Sequence, residues 1–391
     1  MTGKTDIVIR GYGDERPVLS GAQILKPEGD SWGEADEILS SKLKKDSPGN
    51  PGPIWQLFAC TDETVESCEM MTNARWPDAL WSDKTIFHGE QWAQVHEDVT
   101  TGSDKKMINK DSSLGDLNLN LTDAMAVMNI GKWNTFVGQI KHNEGENFFT
   151  YENEFREMTE DGLTLKEFEI DAGHSRYFLE DHIALLNAAE EWFYNQEDHK
   201  LSFIPKKDFN IASETAVLRG KTQTYALTIE KSQNVTIENL MFFATTMQTK
   251  SVDKDNFVQA IKVKSNIFKY PSYSKRMLQD ASLIQWTNLD GKPTGPKKNR
   301  CSFLIHNNEF YGSDGLALAY SGQDNNVTNN LFEYNDWTSA NMMVRLMLFL
   351  NLIITCISSC ENLSKSRMFT LWKLSITTKF QFSDMKVAER H

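Results

Sequence analysis

One six-residue string constrains this chain more than any other feature. It reads β-branched, any residue, Asn, any two residues, Phe. It occurs as Ile237-Glu-Asn-Leu-Met-Phe242, Ile305-His-Asn-Asn-Glu-Phe310 and Val327-Thr-Asn-Asn-Leu-Phe332. The last two copies are offset by 22 residues, the length of one coil of a parallel β-helix. One such coil cannot bury its own inward face, whereas stacked coils bury it and set like residues above one another. Ile305 is then expected against Val327 and Phe310 against Phe332, with Asn307 and Asn329 forming a side-chain ladder at a turn. Gly315–Tyr320 supplies a second short strand and Ser321–Asn326 a polar turn. An antiparallel β-domain with Asn-rich turns is the competing reading, and it gives no reason for three features to recur in register.

Upstream, Ile7-Val-Ile-Arg10 alternates as a strand, Gly11–Pro17 is a turn, and Val18-Leu-Ser-Gly21 resumes extended structure. Glu28 to Pro53 is polar and reads as a long surface excursion. Ile54–Ala59, Ala124–Ile130 and Thr135–His142 read as strands. The spacing of Leu179, Ile183, Leu186 and Phe193 predicts a short helix over 179–190. Trp192–Tyr194 and Leu201–Ile204 read as a hairpin. Residues 243–300 read as irregular, with a basic solvated turn at Lys292–Arg300. The expected organisation is a first coil and surface loop over 1–53, a mainly β insertion over 54–205, coils over 206–343, and an atypical tail over 344–391. That tail holds no Gly and no Pro, and its seven cations against three anions give it +4. It is either a cap on the last coil or a segment foreign to the fold.

Composition removes several classes. The chain has 54 Asp+Glu against 41 Lys+Arg, a net charge of −13. Without a basic patch it is neither a nucleic-acid binder nor a ligand of anionic membranes. At 40% hydrophobic and 11% aromatic residues it is too apolar to be disordered. Cys60 and Cys68 are close enough for one bridge, Cys356 and Cys360 lie in an apolar run, and no Cys/His set has zinc-site spacing. No apolar signal region is visible in residues 1–20. The sequons at Asn120, Asn234, Asn326 and Asn362 weigh little in an Asn-rich chain. The apolar run Leu346–Ile357 is about 12 residues, short of the ~20 that cross a membrane as a helix.

Several strings resemble those of carbohydrate-active right-handed parallel β-helix proteins, the pectin-lyase-like superfamily, and among them the β-helix glycoside hydrolases. They are Glu15-Arg-Pro-Val-Leu-Ser-Gly-Ala-Gln-Ile24, Asn73-Ala-Arg-Trp-Pro-Asp78, Tyr177-Phe-Leu-Glu-Asp181, Glu190-Glu-Trp-Phe-Tyr194 and Leu201-Ser-Phe-Ile-Pro205. They fall in the same order and span about residues 7–343. The resemblance implies an all-β, right-handed parallel β-helix with a mainly β insertion near the N-terminus. It also implies a polysaccharide or oligosaccharide substrate and an extracellular or secretory location. It fixes no reaction, because function lives in sites grafted on folds.

Hydrolysis of a glycoside needs two carboxyl groups across the scissile bond. Asp314 and Asp336 are also 22 residues apart, so they are expected one coil apart, roughly 5 Å along the stack. That is compatible with a retaining pair. Tyr320 and Trp337 flank them and offer faces for a sugar ring, with core packing the alternative. His306, beside Glu309 and Glu333, is a candidate base or sugar donor. Arg75 is expected to pair with an acid and Trp76 to pack an interface. No cofactor and no metal are expected, although calcium remains an option along Glu144–Glu169 or at Asp324. The chain reads as a monomeric glycoside hydrolase. The alternatives are a polysaccharide lyase and a non-catalytic carbohydrate-binding β-helix. Acid-rich 305–340, nearly free of Lys and Arg, disfavours a uronate ligand and points to neutral sugars. Apart from the tail, residues 1–343 carry −17.

Overall fold

The computed structural model describes residues 1–335 apart from 30, 45–52, 96, 99–106, 131–133, 144, 152–155, 160–161, 166–174, 251–257, 273–286, 290–301, 315–316 and 321–324. The described chain is nearly all β. Its organising feature is three stacks of parallel strands. The first runs Thr5–Arg10, Gln233–Glu238, Ile261–Lys264, Phe303–His306, Asn326–Thr328. The second runs Val18–Ser20, Met241–Phe243, Ile267–Lys269, Glu309–Tyr311, Leu331–Glu333. The third runs Tyr225–Glu230, Thr246–Lys250, Thr287–Leu289, Leu318–Tyr320.

The repeated string explains the first two stacks. Its β-branched residue points inward from the first stack: Ile237, Val263 and Ile305 are at most 1% exposed. Its Phe points inward from the second. Phe242, Phe268, Phe310 and Phe332 stack with centroids 4.7, 4.7 and 4.9 Å apart and interplanar angles of 3 to 8°. Strand spacing of about 4.8 Å sets that separation, and each buried ring contributes roughly 2–3 kcal/mol. Val263-Lys-Ser-Asn-Ile-Phe268 is thus a further copy, with Ser in place of the Asn. It lies inside 243–300, where the sequence reading expected irregular structure.

Between the first and second stacks the chain turns sharply. Asn239, Ser265, Asn307 and Asn329 there all have φ of 54–55°, a region that favours Asn. Asn329 Nδ2 donates to Asn307 Oδ1 at 2.9 Å, the expected ladder, at exposed positions. The buried ladder is one residue on. Asn266 Nδ2 donates to Asn308 Oδ1 at 3.0 Å, and Asn308 Nδ2 to Asn330 Oδ1 at 2.9 Å. The same amides donate to the carbonyls of Ile237, Val263 and Ile305, and their oxygens accept the next backbone N–H. Each side chain satisfies the corner of a neighbouring coil.

The rest is mostly antiparallel. Ala22–Leu25, Val217–Lys221, Leu57–Cys60 and Cys68–Met70 form a sheet beside the second stack, with Phe58 4.8 Å from Phe243 and 5.0 Å from Tyr270. Gly33–Ala35 pairs with Ile38–Lys42, which pairs in turn with the hairpin Glu191–Asn195/Lys200–Phe203. The polar 28–53 stretch therefore contributes strands where only a surface excursion was expected. A further sheet includes Met125–Ile130, Asn134–His142 and Arg176–Glu180. The helix expected over 179–190 is absent: Leu179 belongs to that last strand, and only Ile183–Leu185 forms a 3-10 turn. His182 Nδ1, accepting the Ala184 N–H at 3.2 Å, starts the turn. Cys60 and Cys68, close enough in sequence for a bridge, form one. The Lys292–Arg300 turn, Cys356, Cys360, Asn362 and the 344–391 tail lie outside the described residues, and so do Asp324 and parts of 144–169.

Replacing Asn308 by Ala leaves a buried N–H, an amide and a carbonyl unsatisfied, and is expected to cost about 3 kcal/mol. Asn307→Ala, exposed one residue earlier, is expected to cost about 1 kcal/mol for the left-handed backbone. Urea unfolding of the two variants measures the contrast.

Candidate functional site

Side chains alternate along the second stack. The residues flanking the inward Phe therefore point outward: Glu309 and Tyr311 on one strand, Leu331 and Glu333 on the next. Tyr311 is the register partner of Glu333, and Glu309 that of Leu331. Glu309 and Glu333 are thus diagonal neighbours. A strand spacing of about 4.8 Å and a rise of about 3.3 Å per residue put their Cα atoms about 8 Å apart. Neither makes a side-chain hydrogen bond or ion pair with a described residue.

A cavity of about 480 Å³ lies over this face. Its floor is Lys269, Tyr270, Glu309, Tyr311 and Glu333, and its far wall is Glu66, Glu69, Trp81, Lys84 and Lys206. The wall is held by the Cys60–Cys68 bridge, which closes the loop carrying Glu66. It is also held by Trp81, whose backbone N–H donates to Thr72 Oγ1 at 2.9 Å. The Trp81 ring is 4% exposed and lies 5.6, 6.1 and 6.5 Å from the rings of Tyr270, Tyr311 and Tyr334. Tyr334 is 37% exposed and carries the outermost ring. Burial, then neighbouring Tyr334 and Glu333, push the Tyr311 phenol upward, so it is a hydrogen-bond donor at neutral pH.

Charge is unevenly spread. Lys206 Nζ pairs with Glu69 at 3.0 Å. Lys84 Nζ donates to the Trp81 carbonyl at 2.9 Å and sits 4.2 Å over the Trp81 ring and 5.0 Å from that of Tyr334. Burial lowers the proton affinity of Lys84 and Lys269, and Lys269 adds repulsion at Lys84. Tyr270 (φ 55°) and Tyr334 (φ 51°) have left-handed backbone, as do Ala244 (φ 52°) and Gly312 (φ 72°) at the equivalent corners after the second-stack strands, and Lys84 (φ 67°) is left-handed on the far wall.

The sequence-predicted residues that are described do not line this cavity. Asp314 is half-buried at the corner past the second stack, where its N–H donates to the Ser272 carbonyl at 3.1 Å. Its field favours the ammonium of fully buried Lys221, whose pKa burial lowers to about 7. Tyr320 is 6% exposed and belongs to the core between the stacks, where burial raises its phenol pKa. It takes the packing alternative and shows no face to a ligand. His306 is on the outer face of the first stack, Nδ1 2.9 Å from Thr328 Oγ1, and does not line the cavity. Asp336 and Trp337 lie outside the described residues. Arg75 donates to the carbonyls of Pro77 and Gln91 and lies 4.0 Å over Phe178, with Asp78 in its field. Trp76 packs 6.1 Å from Tyr177 against the hydrophobic cluster that holds Leu179 and Tyr151.

The 74–84 segment that delivers Trp81 and Lys84 is anchored by a buried acid. Glu191, 0% exposed, accepts backbone N–H groups of Arg75, Asn187 and Ala188, each at 3.2 Å. Burial nonetheless raises its pKa to about 7.

No family model matches the chain, and no curated protein matches it. Among solved structures, a chain described as a glycoside hydrolase is similar at 14% identity and a TM-score of 0.49, over 83% of this chain and 60% of that one. This chain therefore spans about three fifths of that protein's length. A likeness of this degree carries no residue and no activity across.

Glu191 binds its proton more tightly folded than unfolded. Its contribution is full below about pH 4.5 and is lost as pH rises through about 7, a swing on the order of 3 kcal/mol. Urea midpoints at pH 5 and pH 8 are expected to differ in that direction in the wild type. The difference should shrink in Glu191→Gln.

Proposed function

We propose that the three stacks are the faces of a right-handed parallel β-helix, that 54–205 is an insertion forming one wall of the groove, and that the chain is a glycoside hydrolase. The observation that carries the reading is the pair Glu309 and Glu333. They are two carboxylates on one outer face, their Cα atoms about 8 Å apart, under an aromatic-walled cavity of about 480 Å³. An inverting enzyme holds its two carboxyl groups roughly 6.5–9.5 Å apart, which leaves room for a water opposite the leaving group, and glutamate side chains rising from this frame can take that spacing. One carboxyl group protonates the glycosidic oxygen, and the other takes a proton from the attacking water. The ring of Tyr334 is the platform for a sugar face. The Cys60–Cys68 bridge supports action in an oxidising, extracellular setting.

Glu309→Gln and Glu333→Gln are each expected to lower turnover at least ~10³-fold while sugar binding persists, loss of one proton-transfer group being worth roughly 10²–10⁴. Reducing-end release from neutral and acidic polysaccharides measures it, and proton NMR of the first product reports inversion. The aspartates are the opposing arm. Loss of turnover in Asp314→Asn and Asp336→Asn with turnover kept in both Glu variants would move the site to that pair. A product absorbing as an unsaturated sugar would make the protein a lyase.

A further inference from the structure

Two half-buried lysines line the groove beside the carboxylates. Lys269 lies on the floor, in register with Tyr311 and so in the same column as Glu333. Lys84 comes from the far wall. The two ammoniums carry six N–H donors. Among the described residues, one of the six has a protein acceptor, the Trp81 carbonyl. Lys269 rests on the face of Tyr270 at 5.5 Å with no oxygen partner among those residues. The carboxylates whose fields reach them, Glu69, Asp83 and Glu190 at Lys84 and Glu66 and Glu69 at Lys269, make no ion pair with either among the described residues. Glu69 is engaged by Lys206 at 3.0 Å, and Glu66 is exposed on the loop behind Cys68. Two cations held close enough to repel one another, partly out of water, with donors unfilled and facing a cavity, are stabilised by a ligand that brings negative charge and several acceptor oxygens.

We propose that Lys84 and Lys269 form a subsite for an anionic substituent on the sugar chain, a carboxylate or a sulfate ester, bound beside the Glu309–Glu333 pair. The proposal rests on the reading of the groove as a sugar site. It reverses the expectation of neutral sugars, which followed from the scarcity of Lys and Arg in 305–340. The lysines come instead from positions 84 and 269, brought to the same face by the fold. Rigid placement serves selection: Lys84 is pinned by its left-handed backbone, the Trp81 carbonyl and the Trp81 ring.

The test uses the full chain at about 50 mM salt, where screening is modest. Binding is measured by affinity electrophoresis and calorimetry on matched polymers. One set is dextran, carboxymethyl-dextran and dextran sulfate. The other is homogalacturonan and its carboxyl-reduced form. In at least one set the wild type should bind an anionic member at least ~10-fold tighter than the neutral one. Lys84→Gln/Lys269→Gln should erase that ratio, and Lys84→Arg/Lys269→Arg should keep it. Lys206→Gln, which removes an equal charge nearby, should also keep it. If the double Gln variant does not fold, Lys269→Gln alone should lower the ratio at least ~3-fold. A preference for carboxymethyl-dextran or for dextran sulfate identifies the substituent, and either supports the subsite. No anionic preference in the wild type, or an unchanged ratio in the Gln variants, overturns it. Anionic preference without hydrolysis of any polymer overturns the hydrolase reading and leaves the subsite standing.

Discussion

The buried amide ladder of Asn266, Asn308 and Asn330 is the constraint on which the groove depends. A corner between stacked strands leaves carbonyls and N–H groups pointing into the interior, where each unsatisfied group costs about 1–3 kcal/mol. An Asn at that corner answers with two donors and one acceptor, reaching the coil on either side. Because the reach is fixed, so is the register. The Phe column follows at 4.7–4.9 Å, and the residues flanking each Phe emerge outward in rows. The carboxylates of Glu309 and Glu333 are members of those rows. Their separation is a consequence of the corner and not a property of a loop.

How much of this is legible in sequence depends on the range of the interaction. Within a coil, alternation and the Asn–Phe spacing are local, so the strands at 303–310 and 326–332 and the Phe310–Phe332 contact can be read directly. The ladder was legible to within one residue. Asn307 and Asn329 carry the turn, and the neighbouring Asn308 and Asn330 carry the burial. Asn266 was hidden because Ser265 breaks the string before it. The third stack is weaker still: Thr246–Lys250 and Thr287–Leu289 have no recurrent residue to mark them, since Thr and Leu fill the inward positions interchangeably.

The groove is only half legible. Glu309 and Glu333 sit beside the Phe of the repeat, and strand alternation turns both outward. The 22-residue recurrence of Asp314 and Asp336 is a periodicity that does not by itself say which face a side chain takes, and Asp336 lies outside the described residues. Tyr320 shows this, since strand alternation buries it. The opposite wall was not legible at all. Trp81 and Lys84 lie more than 200 residues before Glu309, and only the pairing of Cys68–Met70 into the junction sheet, with Glu191 holding the backbone at 75, brings them over the coil.

The charge balance acquires a different meaning once the groove is in view. A net −13 disfavours polyanions only as a long-range field, and at physiological salt that field decays over about 8 Å. Inside a half-buried cavity the near charges dominate, because screening ions and water are largely excluded there. Lys84 and Lys269 are such near charges, and burial lowers the proton affinity of both. An acidic exterior and a locally cationic patch in the groove are therefore compatible, the first acting as a long-range field and the second at contact distance.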